Sequence, residues 1–214
     1  MMENKVTEAL QLDKFPQEYL EYFNKEGELV RKSIHGKVLD IGCGNARLLP
    51  FIHDKCSSYI GLDNDKEAII NNNLLKKKFS NVDFIQGDAR DLKKLFSKEK
   101  FDVSVCLWNT LHILGDETLM LKNISEVTND KIIITLVAKN SQSLKARAKY
   151  YDLFKIPYTI DNNSQIIYSK IWGESRAYSG DYFKILSEKS GIPLIESGKI
   201  GFMAIYGIFD CSRK

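Results

Sequence analysis

"VLDIGCGNARLLP", Val38 to Pro50, joins a β-branched apolar run to two glycines one residue apart and then to a helix-like apolar pattern. The run suits a buried strand, and the glycines supply a sharp turn because they adopt positive φ without a Cβ penalty. A strand, a ligand-sized turn and a helix over 45–54 are the local reading.

Outward from this unit, short β-rich runs recur at 37–42, 58–63, 82–87, 101–107, 131–137, 193–200 and 202–210. Helical patterns at 45–54, 66–78, 90–97 and 116–128 separate the first five, which is the spacing of right-handed βαβ crossovers. The last two runs meet through Ile200-Gly201, too short for a crossover, so they pair antiparallel. The expected fold is α/β: a doubly wound, seven-stranded, mostly parallel sheet with an antiparallel last strand, in three α/β/α layers. A helix over 16–33, opening near Asp13 and Pro16, precedes the sheet. Between the fifth and sixth strands, residues 138–192 form a small cap insertion: a helix at 143–154, a hairpin over 158–172 turning at Asp161-Asn162-Asn163, and a helix near 180–190 ended by Gly191.

At 214 residues and 43% hydrophobic, the chain suits one sizeable domain. The net charge of +3 is spread among 31 basic and 28 acidic residues with no dense basic block, which disfavours nucleic acid as a partner. Cys43, Cys56, Cys106 and Cys211 form no C-x-x-C pair, so no metal site is expected and the thiols read as buried in a reducing compartment. No run has signal-peptide or membrane-spanning character, and a cytoplasmic protein with no membrane partner is the expectation. Composition leaves the oligomeric state open.

In an open parallel sheet, ligands bind beyond the carboxyl ends of the strands. Three acids fall there: Asp40 within the first strand, Asp63 ending the second, and Asp88 after the third. Asp63 stands 19 positions beyond Gly44, where a carboxylate can accept both ribose hydroxyl protons. Gly42 and Gly44 allow close backbone approach to a ligand. A dinucleotide turn requires G-x-G-x-x-G, yet the third glycine position holds Arg47, and Asp40 would repel a phosphate while suiting an ammonium group. A ribose-bearing ligand with an amino-acid end fits better than one with a pyrophosphate.

"VLDIGCGNARLL", "GLDND", "VDFIQGDARDL" and "FDVSVCLWNTLHIL" followed by "DETLMLKNISEV" together resemble the class I S-adenosylmethionine-dependent methyltransferases of the small-molecule type. The resemblance spans about residues 36–137 and divides a single methyltransferase domain, 1–214, into an N-terminal helical lid (1–35), a cofactor-binding core (36–137), the cap (138–192) and the final strands (193–214). It implies S-adenosyl-L-methionine as cofactor, with Asp40, Gly42 and Gly44 at its methionine end. Asp63 would hold the ribose, Asn64 would flank the adenine, Asp88 and Ala89 would meet the adenine amino edge, and Leu107 and Trp108 would lie beneath the sulfonium. The family's Lys-Pro-Gly-Gly turn before the fifth strand is replaced by Thr128-Asn-Asp-Lys131, in which Asn129-Asp130 can adopt left-handed turn conformations.

After the fourth strand, Leu107-Trp108-Asn109-Thr110 is not the Asn/Asp-Pro-Pro-Tyr of base methylation, and Val103 to Leu114 contains no glutamate, so the paired acids of arginine methylation are missing. His112 is the one candidate general base there. The acceptor is read as a small molecule methylated on N, O or S by in-line displacement, with Tyr22, Asn109, Tyr151, Trp172 and Arg176 as candidate substrate contacts, and Tyr150 and Tyr178 beside them in the cap. Alternatives are a methyltransferase acting on RNA or protein and a non-catalytic cofactor-binding module. Tyr151-x-x-x-Lys155 also matches the catalytic pair of short-chain oxidoreductases, but the required upstream serine is replaced by Ala138-Lys139.

Overall fold

The computed structural model describes residues 14–212; Asp13 and the rest of the first thirteen residues of the expected lid lie outside them. A seven-stranded sheet runs in the order β3-β2-β1-β4-β5-β10-β9, built from β1 (Lys37–Ile41), β2 (Ser58–Asp63), β3 (Val82–Gln86), β4 (Phe101–Cys106), β5 (Thr128–Val137), β9 (Leu194–Ile200) and β10 (Ala204–Asp210). The first five are parallel, and β10 runs antiparallel to both β5 and β9, its pairing with β9 following from the short link over residues 201–203.

Alternation along β1 explains the three layers. Leu39 and Ile41 point into one core with Leu62, Ile132, Ile134 and Leu136, whereas Val38 points into the other with Val30, Tyr59, Val103 and Val105. Helix α1 (Gln17–Arg31) covers the second face through Val30, and places Tyr19, Tyr22 and Phe23 against the cap helix α7 (Ser141–Leu153) and the final hairpin. On the first face, α6 (Glu117–Glu126), capped by the Asp116 carboxylate, and α8 (Tyr182–Ser190), ended by left-handed Gly191, bury Leu121, Ile124, Phe183 and Leu186.

Several boundaries differ from the sequence expectation. The first helix shrinks to α2 (Leu49–Ile52), because Gly42, Gly44 and Ala46 all take positive φ (71°, 49° and 55°) and the turn consumes the chain up to Leu48. The helix expected over 66–78 divides into α3 (Lys66–Asn72) and a 3₁₀ turn, Asn73–Lys77; that expected over 90–97 is a 3₁₀ turn, Ala89–Asp91, followed by α4 (Leu92–Leu95). Asn129-Asp130 form no left-handed turn: they lie inside β5, whose Thr128 pairs with Phe101 across a register shift. The cap hairpin, β6 (Thr159–Asp161) and β7 (Ile166–Ser169), gains a third strand, β8 (Gly173–Ser175). No described helix is long and apolar enough to cross a membrane.

Candidate active site

A cavity of about 580 Å³ opens at the carboxyl ends of β1 to β4, where strand order reverses between β1 and β4. Its walls include Asp40, Gly42, Gly44, Asp63, Asn64, Asp88, Ala89, Leu107 and Trp108, the full set expected on the cofactor side. Lid and cap close the opposite end through Phe15, Tyr150, Ile171 and Trp172.

The two glycines are required for different reasons. At Gly42 (φ 71°) an added Cβ would collide with the Thr110 side chain, on the short helix α5 (Thr110–Ile113), so protein packing enforces this glycine. At Gly44 (φ 49°), which borders the cavity, a Cβ would stand in open space, with no protein atom within 4 Å beyond the adjoining residues. Gly44 N donates to Asp63 Oδ2 at 2.8 Å, and Gly44 O accepts from the buried Asn72 Nδ2 at 2.6 Å. Asp63 Oδ1 accepts from Asp65 N at 2.9 Å, and each carboxylate oxygen retains a further lone pair. Asn72 has no motif of its own; its position on the inner face of the helix after β2 was the available signal.

Asp40 is 3% exposed and accepts a 2.7 Å hydrogen bond from Tyr59 Oη. Burial pushes its carboxyl up to about 6, against the lowering pull of the Tyr59 hydrogen bond and the Arg47 charge. Arg47 pairs at 2.5 Å with Glu26, which is wholly buried on α1. Burial works against the Arg47 charge, but Glu26, Tyr22 and Asp40 together prevail and raise the guanidinium above its ordinary range. Glu26 Oε1 also accepts from Tyr22 and, at 2.5 Å, from Thr135 Oγ1, which in turn accepts from Trp108 N at 2.7 Å. The Arg47 guanidinium lies 4.3 Å from the Phe23 ring centroid and 5.6 Å from that of Trp108. One polar network thus ties lid helix, glycine turn and the end of β4 together.

Trp108 and Asn109 both adopt positive φ (47° and 61°), consecutive left-handed conformations that cost non-glycine residues energy and cluster at functional sites. Asn109 holds them: its Oδ1 accepts from Val137 N at 2.7 Å and its Nδ2 donates to Arg176 O at 2.8 Å. Asp88 is engaged by Arg90 through paired guanidinium hydrogen bonds, which hold its carboxyl below the usual range.

Of the expected substrate contacts, Trp172 lies on the cavity wall; Tyr22, Asn109, Tyr151 and Arg176 do not. Tyr22 is committed to Glu26, and Tyr151 is buried against Tyr158 and Trp172, with its hydroxyl pKa raised by burial. Arg176 pairs with Glu174 at 2.7 Å. His112 is also off the cavity. Thr110, Ile113 and Leu114 line it, and at about 100° per residue His112 projects to the other side of that turn. There it lies 3.3 Å from Glu117 Oε1 and 3.7 Å from Glu174 Oε1, while Tyr178 donates to Glu117 at 2.7 Å. Burial tends to raise the Glu117 carboxyl, but these His112 and Tyr178 contacts prevail and lower it. Among the described residues, no cluster of His, Cys, Asp and Glu is arranged to hold a metal ion, and the four cysteines are buried.

The family described as "Methyltransferase domain" matches residues 32–184. No curated protein sequence matches significantly. Among solved structures, a protein of Pyrococcus horikoshii OT3 is 20% identical with a TM-score of 0.65, covering 92% of this chain and 93% of that one. An S-adenosylmethionine-dependent methyltransferase of Aquifex aeolicus is 15% identical, TM-score 0.63, covering 92% and 94%. The magnesium protoporphyrin IX methyltransferase of Synechocystis PCC 6803, solved with bound S-adenosylmethionine, is 13% identical, TM-score 0.57, covering 88% and 77%. Similarity at this level of identity establishes a shared fold.

Proposed function

The chain belongs to the methyltransferase-domain family and uses S-adenosylmethionine, and from that premise we propose that it methylates an N, O or S atom of a small-molecule acceptor by in-line displacement. The observation that carries this reading is the cavity itself, with a polar, acid-lined end at β1–β3 and an aromatic end closed by lid and cap. The cofactor's fit rests on Gly44, a cavity-lining glycine whose Cβ position is open space, and on Asp63, whose oxygens keep acceptor capacity beside it.

When bound, S-adenosylmethionine supplies a methyl group already activated on a sulfonium. Asp63 would accept from the ribose hydroxyls, Asp40 would favour the ammonium end beside Gly42 and Gly44, and Asn64, Asp88 and Ala89 would flank the adenine. Leu107 and Trp108 would form the floor beneath the sulfur. Among the described lining residues the carboxylates are Asp40, Asp63 and Asp88, all on the cofactor side, so the aromatic wall supplies no carboxylate. The protein's contribution is then alignment, which can supply on the order of 7–11 kcal/mol for well-oriented partners.

Thermal unfolding with S-adenosylmethionine, S-adenosylhomocysteine and NADH tests the reading. A ligand at about 100 times its Kd stabilises by about 2.7 kcal/mol, a readable shift. The two sulfur ligands should raise the midpoint, and a product screen with methyl-labelled donor should place label in small molecules. A shift with NADH alone, or label only in RNA or protein, contradicts it.

A further inference from the structure

The aromatic end of the cavity carries information about the acceptor. Phe15, Trp108, Tyr150 and Trp172 line it, with Ile113 and Ile171 beside them. The rings brace one another: Phe15 stacks on Tyr150 (centroids 5.1 Å, planes 6° apart), Phe15 and Trp108 are 5.3 Å apart, and Tyr150 and Trp172 are 5.4 Å apart. Such a wall, pre-assembled from ring contacts, offers flat apolar surface with little ordering cost on binding.

Charge selects further. Arg47 is a charged side chain that both lines the cavity and reaches this wall, and Glu26 is its partner. Arg47 sits over the Trp108 ring, and its pairing with Glu26 leaves no net charge there to hold a cationic acceptor. An anionic acceptor gains little from Arg47, because Glu26 neutralises it at 2.5 Å. It would also approach Asp40, which lines the same cavity. No other charged side chain among the described residues lines the aromatic end.

Resting on the methyltransferase reading above, we infer that this end is an acceptor subsite for an uncharged, flat aromatic molecule, held by stacking between the lid, Trp108 and the cap. Phe15 from the lid, Trp108 from the end of β4, and Tyr150 and Trp172 from the cap are its specificity residues.

The chain's two tryptophans, Trp108 and Trp172, both belong to this wall. The test is calorimetric titration of the protein, first with S-adenosylhomocysteine and then, in its saturating presence, with three naphthalenes at pH 7: neutral 2-naphthol, anionic 2-naphthoate and cationic 2-naphthylmethylammonium. 2-Naphthol should bind at least about tenfold more tightly than either charged analogue, one decade being about 1.4 kcal/mol. Trp172→Ala should weaken 2-naphthol by about tenfold or more while still binding S-adenosylhomocysteine, which also shows that the variant folds. Binding of a charged naphthalene as tightly as the neutral one, or of none of the three by protein that binds S-adenosylhomocysteine, overturns the inference. Failure to bind S-adenosylhomocysteine in the first titration would instead overturn the methyltransferase reading.

Discussion

Gly44 N donates to Asp63 Oδ2 at 2.8 Å, so one carboxylate shapes the glycine turn and lines the cavity that the turn borders. Removing it therefore acts twice. A hydrogen bond to a charged group is worth about 1.5–3 kcal/mol, so Asp63→Ala should weaken S-adenosylhomocysteine about 10- to 100-fold and also lower the unfolding midpoint of the unliganded protein. Calorimetry and thermal unfolding read the two effects separately; loss of stability with unchanged affinity would show a purely structural carboxylate.

The glycine pair predicts a contrast. Gly42→Ala drives a methyl into Thr110, whereas Gly44→Ala puts one into open space at the border of the cavity. The first should lose more stability and be partly rescued by Thr110→Ala; the second should lose S-adenosylhomocysteine affinity for a smaller stability cost, about 1–2 kcal/mol for the left-handed conformation. Denaturant unfolding of the single and double variants measures the coupling.

Wholly buried Glu26 and largely buried Arg47 form a pair between lid helix and glycine turn. Breaking a buried pair costs about 3–5 kcal/mol, roughly 6–20 °C in a chain of this size. Glu26→Met and Arg47→Met should each show this loss, and the double variant should be more stable than either single one, because it leaves no charge unpaired. A double variant as damaged as the sum of both would mean that the pair does not act as a unit.

Asp40 sets a pH dependence. Its folded value of about 6 lies above the ordinary 3.8, so between these limits the folded chain holds a proton that the unfolded chain has released. Stability from this group is full below pH 3.8 and falls as pH rises to about 6. Subtracting the Asp40→Asn profile from that of the native protein isolates it. Ionised Asp40 favours an ammonium group, so S-adenosylhomocysteine affinity should rise from about pH 5 to pH 7.5 in the native protein and stay flat in Asp40→Asn.

His112 projects away from the cavity, between Glu117 and Glu174. Loss of a general base would cost about 10²–10⁴-fold in rate. His112→Asn should instead leave methyl transfer within about threefold and lower the unfolding midpoint, through the lost bridge between α6 and the cap. A hundredfold rate loss with intact stability would return the histidine to the chemistry.

The strands, the antiparallel sense of the last one and the acid-bearing strand ends were readable because they leave local patterns: short apolar runs, a link at Gly201 too short for a crossover, and aspartates at the carboxyl ends. The turn after β1 was longer than its pattern suggested, because left-handed Ala46 is an alanine in a conformation that usually announces itself as glycine. Thr128 joins β5 through a register shift, which no local pattern encodes. The Glu26–Arg47 pair and the Asn72 contact to Gly44 join residues far apart in the chain, so neither has a spacing to read. His112 was misplaced relative to the cavity by one feature, the phase of a four-residue helical turn.

The most direct test is a crystal structure with S-adenosylhomocysteine bound. The account predicts the ribose hydroxyls within hydrogen-bonding distance of the Asp63 carboxylate, the amino-acid end beside Asp40 and Gly42, and the sulfur next to Trp108, facing the Phe15, Tyr150 and Trp172 wall. A ligand seated elsewhere, or one whose ribose leaves Asp63 bonded only to Gly44 and Asp65, would contradict it.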